Sequence, residues 1–336
     1  MNILIVTGIF PPALGGPAQY AKHLHDEWVS QGHTVLVKTF TKVEYAFPSL
    51  VRHVYFFFKI IPAVLKSDFI FALDTFSVGW PATIAAKIFR KKIIMRTGGD
   101  FLWEGYVERT HDLVLFKNFY TTTQGKWSAK ERLIFAITKW TLHHVDILFF
   151  STQWQKDVWM APYGLDKRHV SIIENYYGKK ETSFEPTKKD FVGGTRPLLW
   201  KNTQLIKEVF SSKVILNAGA TYHSETCSHY EFMDKMAHSY ATLLVSLGDI
   251  SPNMILDSIR HNKPFIITRE NGLMDRISTI AVTADPLDAR DIEAKVLWLC
   301  DKKNYDAQVE KIRAFNFTHS WKEIADEVLE LYTSHT

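Results

Sequence analysis

The sequence predicts an α/β protein built from two doubly wound domains. Apolar strand-like runs alternate with amphipathic helices along the whole chain, which is the pattern of parallel sheets covered by helices. The length of 336 residues suits two domains of roughly 150 residues each. A hydrophobic fraction of 46% and a charged fraction of 23% are typical of a globular protein with sizeable cores.

The first 40 residues predict a βαβ unit. Residues 2–9 form a continuous apolar run, as expected for a strand buried on both faces. A loop containing Gly15 and Gly16 follows, then a helix from about residue 17 and a second strand over 34–40. The apolar start has no basic region and no small-residue cleavage site, so it predicts a strand and not a signal peptide.

The rest of the first half continues the alternation, apart from an aromatic segment at 51–65. The predicted strands cover 69–73, 92–96, 145–151 and 170–173, and the predicted helices cover 80–89, 128–144 and 153–160. Arg52, His53 and Lys59 interrupt the aromatic segment, and Pro62 would break or kink it. We expect a buried core helix there, with a membrane-surface helix as the alternative, and no membrane-spanning helix.

A polar, proline-containing segment at 178–189 predicts the linker between the domains. Residues 1–178, together with a C-terminal helix at 320–336, are expected to form the first domain, and residues 188–319 the second. Within the second half, strands are predicted near 190–193, 213–217, 242–247 and 264–268, and helices at 202–210, 229–238, 252–261 and 320–333.

Charge and cysteine content restrict the class of protein. A net charge of +4 is too small to indicate nucleic-acid binding, so no nucleic-acid partner is expected. Cys227 and Cys300 form neither a CxxC pair nor a metal-type cluster. We therefore expect free thiols, a reducing, cytoplasmic location and no metal site.

The glycine loop is the first candidate ligand site. Gly15 and Gly16 lie between a strand and a helix, where bare backbone allows a ligand to approach closely. The alternative is a plain tight turn. The loop is not GxGxxG, and the second strand lacks the acid that would hold an NAD ribose, which disfavours a dinucleotide dehydrogenase.

Two further candidates also follow predicted strands. Gly194, Arg196 and Lys201 bring two cations beside glycine, a combination that could clamp a diphosphate. Their alternative is a pair of solvated loop cations. Asp100, with Trp103 and Glu104, follows another strand, at the position where open sheets bind ligands. The two carboxylates could accept hydrogen bonds from ligand hydroxyls, and the indole could stack on a sugar ring. The alternative there is a capping aspartate and a packed tryptophan.

The segment from Asp249 to Asp257 is the most informative of the chain. An apolar run ends at Asp249, Ser251 suits a helix N-cap, and Pro252 suits the first helical position. The amides of that first turn could seat an anion, because they coincide with the positive end of the helix dipole. An ordinary turn with two solvated acids is the alternative.

Taken in order, these segments resemble the GT4-type family of retaining glycosyltransferases, which have the GT-B fold. The resemblance covers nearly the whole chain and rests on Pro11, Pro12, Gly15, Gly16 and Tyr20; on residues 32–35, 145–151 and 172–175; on Gly194, Arg196 and Lys201; on Asp249, Asp257 and residues 263–267; and on Asn271, Gly272, Asp275 and residues 321–325.

The resemblance implies two Rossmann-like domains that face a central cleft, with the C-terminal helix returning to the first domain. It implies metal-independent transfer of a sugar, without a cofactor, from a nucleotide-diphosphate donor to a glycan or polyprenyl-linked acceptor, as in polysaccharide synthesis. The implied donor-binding residues are Gly15, Gly16, Arg196, Lys201, Asp249, Ile250, Ser251, Asn253 and Asp257. Asp257 would bind the ribose, Asp249 the sugar and the two cations the diphosphate, while Asp100, Trp103 and Glu104 would lie on the acceptor side; Arg196, Lys201, Asp249 and Asp100 are the expected catalytic residues.

The sequence departs from the family at the paired acids, because Asp249 and Asp257 stand where the family has glutamates. This departure leaves open a non-catalytic protein that binds a nucleotide sugar or glycan, or an epimerase or phosphorylase of the same fold. Arg52, Lys59, Lys66 and residues 90–92 could contact an anionic membrane at its inner face if the acceptor is polyprenyl-linked. The alternative is a set of solvated basic faces.

Overall fold

The computed structural model describes the chain except for residues 14, 167–169, 195–197, 225–226 and 335–336, and except for the side chains of Ser49 and His229. The chain divides into two compact units. Unit 1 comprises Met1–Leu102, Lys126–Asn175 and His319–Thr336, and unit 2 comprises Trp103–Gly125 and Tyr176–Thr318. Unit 2 therefore includes a segment from the first half of the sequence.

Each unit contains one sheet whose paired strands all run parallel. The strands are β1 (Asn2–Thr7), β2 (Thr34–Thr39), β3 (Phe69–Ala72), β4 (Lys92–Arg96), β5 (Ile147–Phe150), β6 (Val170–Ile172), β7 (Lys189–Gly193), β8 (Ala220–His223), β9 (Ala241–Leu244), β10 (Phe265–Thr268) and β11 (Val282–Ala284). Their orders are β2-β1-β3-β4-β5-β6 and β11-β10-β9-β7-β8. Both orders reverse direction beside the first strand of the unit, so each sheet has a topological switch point.

The helices connect these strands. They are α1 (Gly16–Ser30), α2 (Lys42–Tyr45), α3 (Ser49–Lys66), α4 (Gly79–Ile88), α5 (Phe101–Thr110), α6 (Phe116–Thr122), α7 (Ala129–His144), α8 (Gln153–Tyr163), α9 (Thr203–Phe210), α10 (Lys213–Asn217), α11 (His229–His238), α12 (Asn253–Arg260), α13 (Met274–Ile277), α14 (Ala289–Cys300), α15 (Lys302–Ala314) and α16 (Trp321–Ser334). None of the helices that the structure describes is long and apolar enough to cross a membrane.

The predicted fold class is confirmed: the protein is α/β, with two parallel, Rossmann-like sheets. The predicted return of the C-terminal helix is also confirmed, since α16 packs against α1. The indole N–H of Trp28 in α1 donates to the carbonyl of Ala325 in α16 at 3.2 Å. The Trp321 ring covers Tyr20 edge-on and stacks on His23, which fixes the start of α16 to unit 1.

The strand predicted near 213–217 is wrong, because these residues form helix α10. Ser212 caps this helix by accepting the amide N–H of Ile215, and Gly219 ends the turn at a φ of 73°. Ile215 is buried, whereas Lys213 and Asn217, two positions to either side, are exposed; alternating strand faces would place all three on one side. The strand of this region is β8, which begins at Ala220, directly after Gly219.

The aromatic segment forms helix α3, but the expectation of a buried core helix is wrong for half of its surface. His53, Phe56, Ile60 and Val64 are buried, on the side where α3 packs against α4. The opposite face is exposed and apolar: Leu50 is 65% exposed and Phe58 is 63% exposed. Helical periodicity identifies a helix, but it cannot say whether a second apolar face will find a partner.

Glu44 of α2 fixes α3 in place through a buried ion pair. Its carboxylate accepts hydrogen bonds from the ammonium of Lys59 in α3 and from the amide and hydroxyl of Thr41. Burial opposes ionisation of Glu44, but these hydrogen bonds outweigh it and lower the pKa from 4.5 to about 2.

The lowered pKa predicts an acid-sensitive contribution to stability. Because the folded-state pKa lies below the unfolded one, the contribution is complete above pH 4.5 and is lost as pH falls towards 2. Glu44→Gln should therefore lower the free energy of unfolding at neutral pH, and its deficit should shrink below pH 4.5 in urea titrations. Glu330→Gln, at an exposed glutamate of unit 1, should show no such trend. A deficit of Glu44→Gln that stayed constant down to pH 2 would contradict the assignment.

Candidate functional site

The candidate site of unit 2 lies at the carboxyl ends of β7 and β9, which is the topological switch point of that sheet. Open parallel sheets bind ligands at this position because the loops diverge there. Backbone hydrogen bonds hold the loops together: the Leu247 amide donates to the Trp200 carbonyl at 2.8 Å, and the Asp249 amide to the Glu270 carbonyl at 2.9 Å. The loops after β7, β9 and β10 therefore form one connected frame.

Lys201 and Asp249, both predicted from the sequence, are brought together in this frame. The Lys201 ammonium lies 2.6 Å from Oδ2 of Asp249 and 4.2 Å from the centre of the Trp200 ring. The two side chains are 15 and 14% exposed. Asn202 follows in a left-handed conformation at a φ of 59°, and its side-chain amide donates to the Pro286 carbonyl at 2.7 Å. Lys201 is thus a positioned cation, and the alternative of a solvated loop lysine is not what the structure contains.

Arg196, the second predicted cation, lies outside the described residues, as do its neighbours Thr195 and Pro197. Its role beside a diphosphate stays a prediction. Gly194 lies two residues before it, and a Cβ at Gly194 would meet no atom of the described residues within 4 Å.

Within the described residues, several polar atoms around the frame are buried without a hydrogen-bond partner. They are the hydroxyl oxygens of Ser246 and Ser251 and Oε2 of Glu270. Buried polar groups are nearly always paired, so unpaired ones at a strand-end site indicate a place for a ligand or ordered water. Ser246 and Glu270 were not identified from the sequence, where a lone serine and a lone glutamate carry no distinguishing pattern.

The start of α12 differs by one residue from the prediction. Pro252 occupies the N-cap with φ −71° and ψ 108°, and the helix begins at Asn253. The predicted N-cap, Ser251, therefore lies one residue outside, since a residue before proline is held out of the helical conformation. No side chain in the described part of the chain caps this end, which leaves the first amides of α12 open to a ligand. Ile250 and Ser251 are half-buried and Asn253 is exposed.

Asp257 lies one turn into α12 and is engaged by Arg260. The guanidinium Nη1 of Arg260 donates to Oδ1 of Asp257 at 2.7 Å, and Nη2 pairs with Glu181. Burial raises the pKa of Asp257 to about 7. Arg260 was not singled out from the sequence, although it follows Asp257 at the i+3 spacing of neighbouring side chains on a helix.

Helices α5 and α6 cover another side of this frame. The Trp103 ring is 3% exposed, and it packs 5.2 Å from Phe116 and 5.5 Å from Trp200, measured between ring centres. Its indole N–H donates to the Val114 carbonyl at 3.0 Å. The described geometry gives Trp103 a packing role within unit 2, and its stacking on an acceptor sugar stays a prediction. Glu104 is half-buried one residue further along α5.

Two charged side chains and one backbone amide tie α5 and α6 to the frame. Oε1 of Glu108 accepts the amide N–H of Leu199 at 2.7 Å, and the Lys117 ammonium lies 2.5 Å from Oε1 of Glu270. The Phe116 amide also donates to the Leu247 carbonyl at 3.1 Å. Sequence reasoning missed Glu108 and Lys117, because partners about 90 and 150 positions away leave no local pattern.

The remaining predicted residues lie in unit 1. Gly15 is the N-cap of α1 at φ 146°, and a Cβ there would approach Cδ1 of Ile9 to 3.0 Å, so this backbone requires glycine. Gly16 begins α1, whose N-terminus has no side-chain cap.

Asp100 follows β4 and is 3% exposed. Asp74, which the sequence did not indicate, follows β3 and accepts the amides of Phe76 and Gly79 at 3.0 and 3.2 Å.

Among the residues that the structure describes, no group of three His, Cys, Asp or Glu side chains is placed to hold a metal ion. What the described site offers is a fixed cation, open helix amides, two carboxylates and unpaired hydroxyls. These groups suit a phosphorylated ligand that carries hydroxyl groups.

Comparison with known proteins identifies the fold. No family model matches the sequence, and no match is found among curated proteins. Sucrose-phosphate synthase from Thermosynechococcus elongatus is similar in structure, with a TM-score of 0.68 and 11% identity, over 99% of this chain and 98% of that one. The catalytic domain of starch synthase IV from Arabidopsis thaliana, bound to ADP and acarbose, gives a TM-score of 0.67 at 12% identity, over 99% of each chain.

A third similar structure is WaaG, a glycosyltransferase involved in lipopolysaccharide biosynthesis. Its TM-score is 0.67 at 8% identity, over 98% of this chain and 99% of that one. Identities this low establish the fold and not the reaction. The chain has the GT-B fold that these proteins share.

Proposed function

We propose that the protein is a retaining glycosyltransferase that moves a sugar from a nucleotide-diphosphate donor to a glycan or lipid-linked glycan. The observation that supports this most is the Lys201–Asp249 pair at the switch point of unit 2, beside the unpaired hydroxyls of Ser246 and Ser251. Similarity to glycosyltransferase structures over the whole chain supports it as well.

Charge stabilisation is the main catalytic contribution in this proposal. When the bond between the sugar and the diphosphate breaks, negative charge develops on the leaving oxygen. Lys201, held by Asp249, would stabilise that charge without having to be reoriented, and the open amides of α12 would add to it. Arg196 would be the second cation.

The two aspartates would serve recognition. Asp249, with the backbone of Ile250, Ser251 and Asn253, would bind hydroxyls of the donor sugar, and Asp257 would bind the ribose. Since both aspartates have binding roles, neither is assigned as a nucleophile. We therefore infer a front-face route, in which the acceptor oxygen attacks the sugar on the same face from which the diphosphate leaves. The acceptor proton would pass to the departing phosphate oxygen.

The acceptor is proposed to meet Asp100, Trp103 and Glu104, with Gly15 and Gly16 allowing backbone to approach the phosphates. The reaction is expected to proceed without a metal ion. A polyprenyl-linked acceptor would bring the protein to the inner face of a membrane.

A second candidate function, a non-catalytic binder of nucleotide sugars, is favoured by one contact. Arg260 already engages Asp257, so a ribose must compete with an ion pair for that carboxylate. Turnover separates the two candidates. The purified protein should be screened against nucleotide sugars with candidate acceptors, following nucleotide release and thermal shift.

Each outcome of this screen identifies one function. Sugar transfer with retained anomeric configuration supports the glycosyltransferase. Binding of nucleotide without product from any donor and acceptor supports the binder. Nucleotide release without an acceptor would indicate an epimerase, and dependence on inorganic phosphate would indicate a phosphorylase.

Asp257→Ala tests the ribose assignment. The variant should lower the affinity for UDP or ADP, whichever the wild type binds, by at least about tenfold, since a hydrogen-bonded carboxylate is lost. Isothermal titration measures the affinity, and thermal unfolding shows that the fold survives. Asp234→Ala removes a carboxylate that is 66% exposed and should change nothing. Equal affinities of the Asp257→Ala variant and the wild type would remove Asp257 from the site.

A further inference from the structure

Unit 1 carries an exposed apolar surface on α2 and α3, which we call the α3 face. Its members are large hydrophobic side chains that are between 44 and 65% exposed: Val43, Tyr45, Leu50, Val51, Val54, Tyr55, Phe58 and Leu65. Along α3, the members from Leu50 to Phe58 are spaced so that each has a partner three or four residues away, and Leu65 follows Phe58 by seven residues, so they form a single stripe. An apolar stripe of this length on the outside of a protein indicates an interaction surface.

The charged residues of α3 do not cover this stripe. The Arg52 guanidinium donates to the backbone carbonyls of Glu44 and Phe47, at 2.9 and 3.2 Å. The Lys59 ammonium is turned towards Glu44 and the Thr39 carbonyl. Both cations therefore lie along the edges of the helix, and the outward side of α3 is left apolar.

Electrostatics determines what such a surface can bind. Between residues 31 and 67 the chain has five basic residues, Lys38, Lys42, Arg52, Lys59 and Lys66, and a single acid, Glu44, which is buried. The difference of four equals the net charge of the whole protein, so the rest of the chain carries equal numbers of each sign. The segment that carries the α3 face is therefore net basic, and its cations Lys42 and Lys66 are exposed.

We propose that the α3 face docks onto the surface of an anionic lipid bilayer, with α3 lying in the plane of the interface. The aromatic and aliphatic side chains would enter the boundary between headgroups and acyl chains, while Lys42 and Lys66, both exposed, would contact anionic headgroups. A protein partner would have to be both apolar and acidic over this area, whereas anionic lipid supplies both properties together.

The position of the α3 face fits an enzyme that works on a membrane-linked acceptor. Tyr45, at one end of the surface, donates its hydroxyl to the Gly8 carbonyl at 3.2 Å. Gly8 follows β1, at the switch point of the sheet of unit 1. The docking proposal itself rests on exposure and charge, and it does not require that the protein transfers a sugar.

Vesicle flotation tests the proposal directly. The full-length protein should float with vesicles of phosphatidylcholine and phosphatidylglycerol, and should float less with pure phosphatidylcholine or at high salt. Leu50→Glu combined with Phe58→Glu should weaken binding to the anionic vesicles by at least about tenfold. Both side chains are exposed, so the melting temperature should stay that of the wild type, and nucleotide binding should be unaffected.

The control is Leu133→Glu, at a leucine that is 59% exposed on α7 of the same unit. It adds one negative charge elsewhere, as each substitution of the double variant does, and it should leave vesicle binding close to the wild-type value. Wild-type flotation of the Leu50→Glu, Phe58→Glu variant, or no flotation of the wild type, would overturn the proposal. A third result would also overturn it: the wild type sediments as a dimer, does not bind vesicles, and is dissociated by the double substitution. That result would mean that the α3 face binds a second copy of the chain.

Discussion

Lys201→Met is expected to weaken binding of the nucleoside diphosphate about a hundredfold and to slow any sugar transfer at least as much. Lys201 is a fixed cation, because Asp249 lies 2.6 Å from its ammonium and the Trp200 ring lies beneath it. Removing the charge costs the attraction to the diphosphate. It also leaves Asp249, 14% exposed, as an unbalanced anion where phosphate must bind.

Methionine keeps the aliphatic stem on Trp200, so packing should be largely retained. Lys207→Met, at an exposed lysine of α9, removes the same charge from the same unit and should leave affinity unchanged. The salt dependence gives a second readout, because the loss should shrink at high ionic strength for Lys201→Met. Affinity of Lys201→Met within twofold of the control variant would rule out a phosphate-binding role for Lys201.

Gly248→Ala is expected to destabilise unit 2 by about 2–3 kcal/mol, because the added methyl group has no room beside the side chains that already contact Gly248. A Cβ at residue 248 would lie 2.5 Å from Cβ of Phe116 and 3.3 Å from the Trp103 ring. The Phe116 Cβ is attached to the backbone of α6 and cannot rotate away. The melting temperature should fall by roughly 5–10 °C. Nucleotide binding should weaken as well, because Asp249 follows directly.

Gly105→Ala is the matched control in the same packing region. Gly105 lies inside α5, and a Cβ there would meet no atom within 4 Å. Alanine should therefore raise the stability by up to about 1 kcal/mol, through its higher helix propensity. If both alanine variants had the same melting temperature as the wild type, α6 would not be packed against Gly248 as described.

Much of the fold was accessible from the sequence because its determinants are local. Buried parallel strands are short, continuous apolar runs, and the runs at 69–73 and 92–96 match β3 and β4 to within a residue. The strand predicted at 213–217 failed because Val-Ile-Leu is compatible with either structure, and the Ser212 cap decided for a helix. Short apolar runs are ambiguous in this way.

The candidate site was predictable in part. Lys201 and Asp249 could be identified because each follows a predicted strand, where ligands bind in such sheets. Glu270 and Lys117 could not, since their significance comes from a contact between residues 153 positions apart. Trp103 was assigned to an acceptor from its position near Asp100, but its surroundings in unit 2 are set by Phe116 and Trp200.

The sequence by itself determined the alternation of strands and helices and the identity of the loops that end at Lys201, Asp249 and Gly15, because apolar periodicity, glycine and proline act over a few residues. The tertiary structure alone decided three features. It paired Lys201 with Asp249, it packed α5 and α6 against Trp200 and Gly248, and it left one face of α3 uncovered. Each depends on which distant segment packs against a given surface, and no local pattern carries that information.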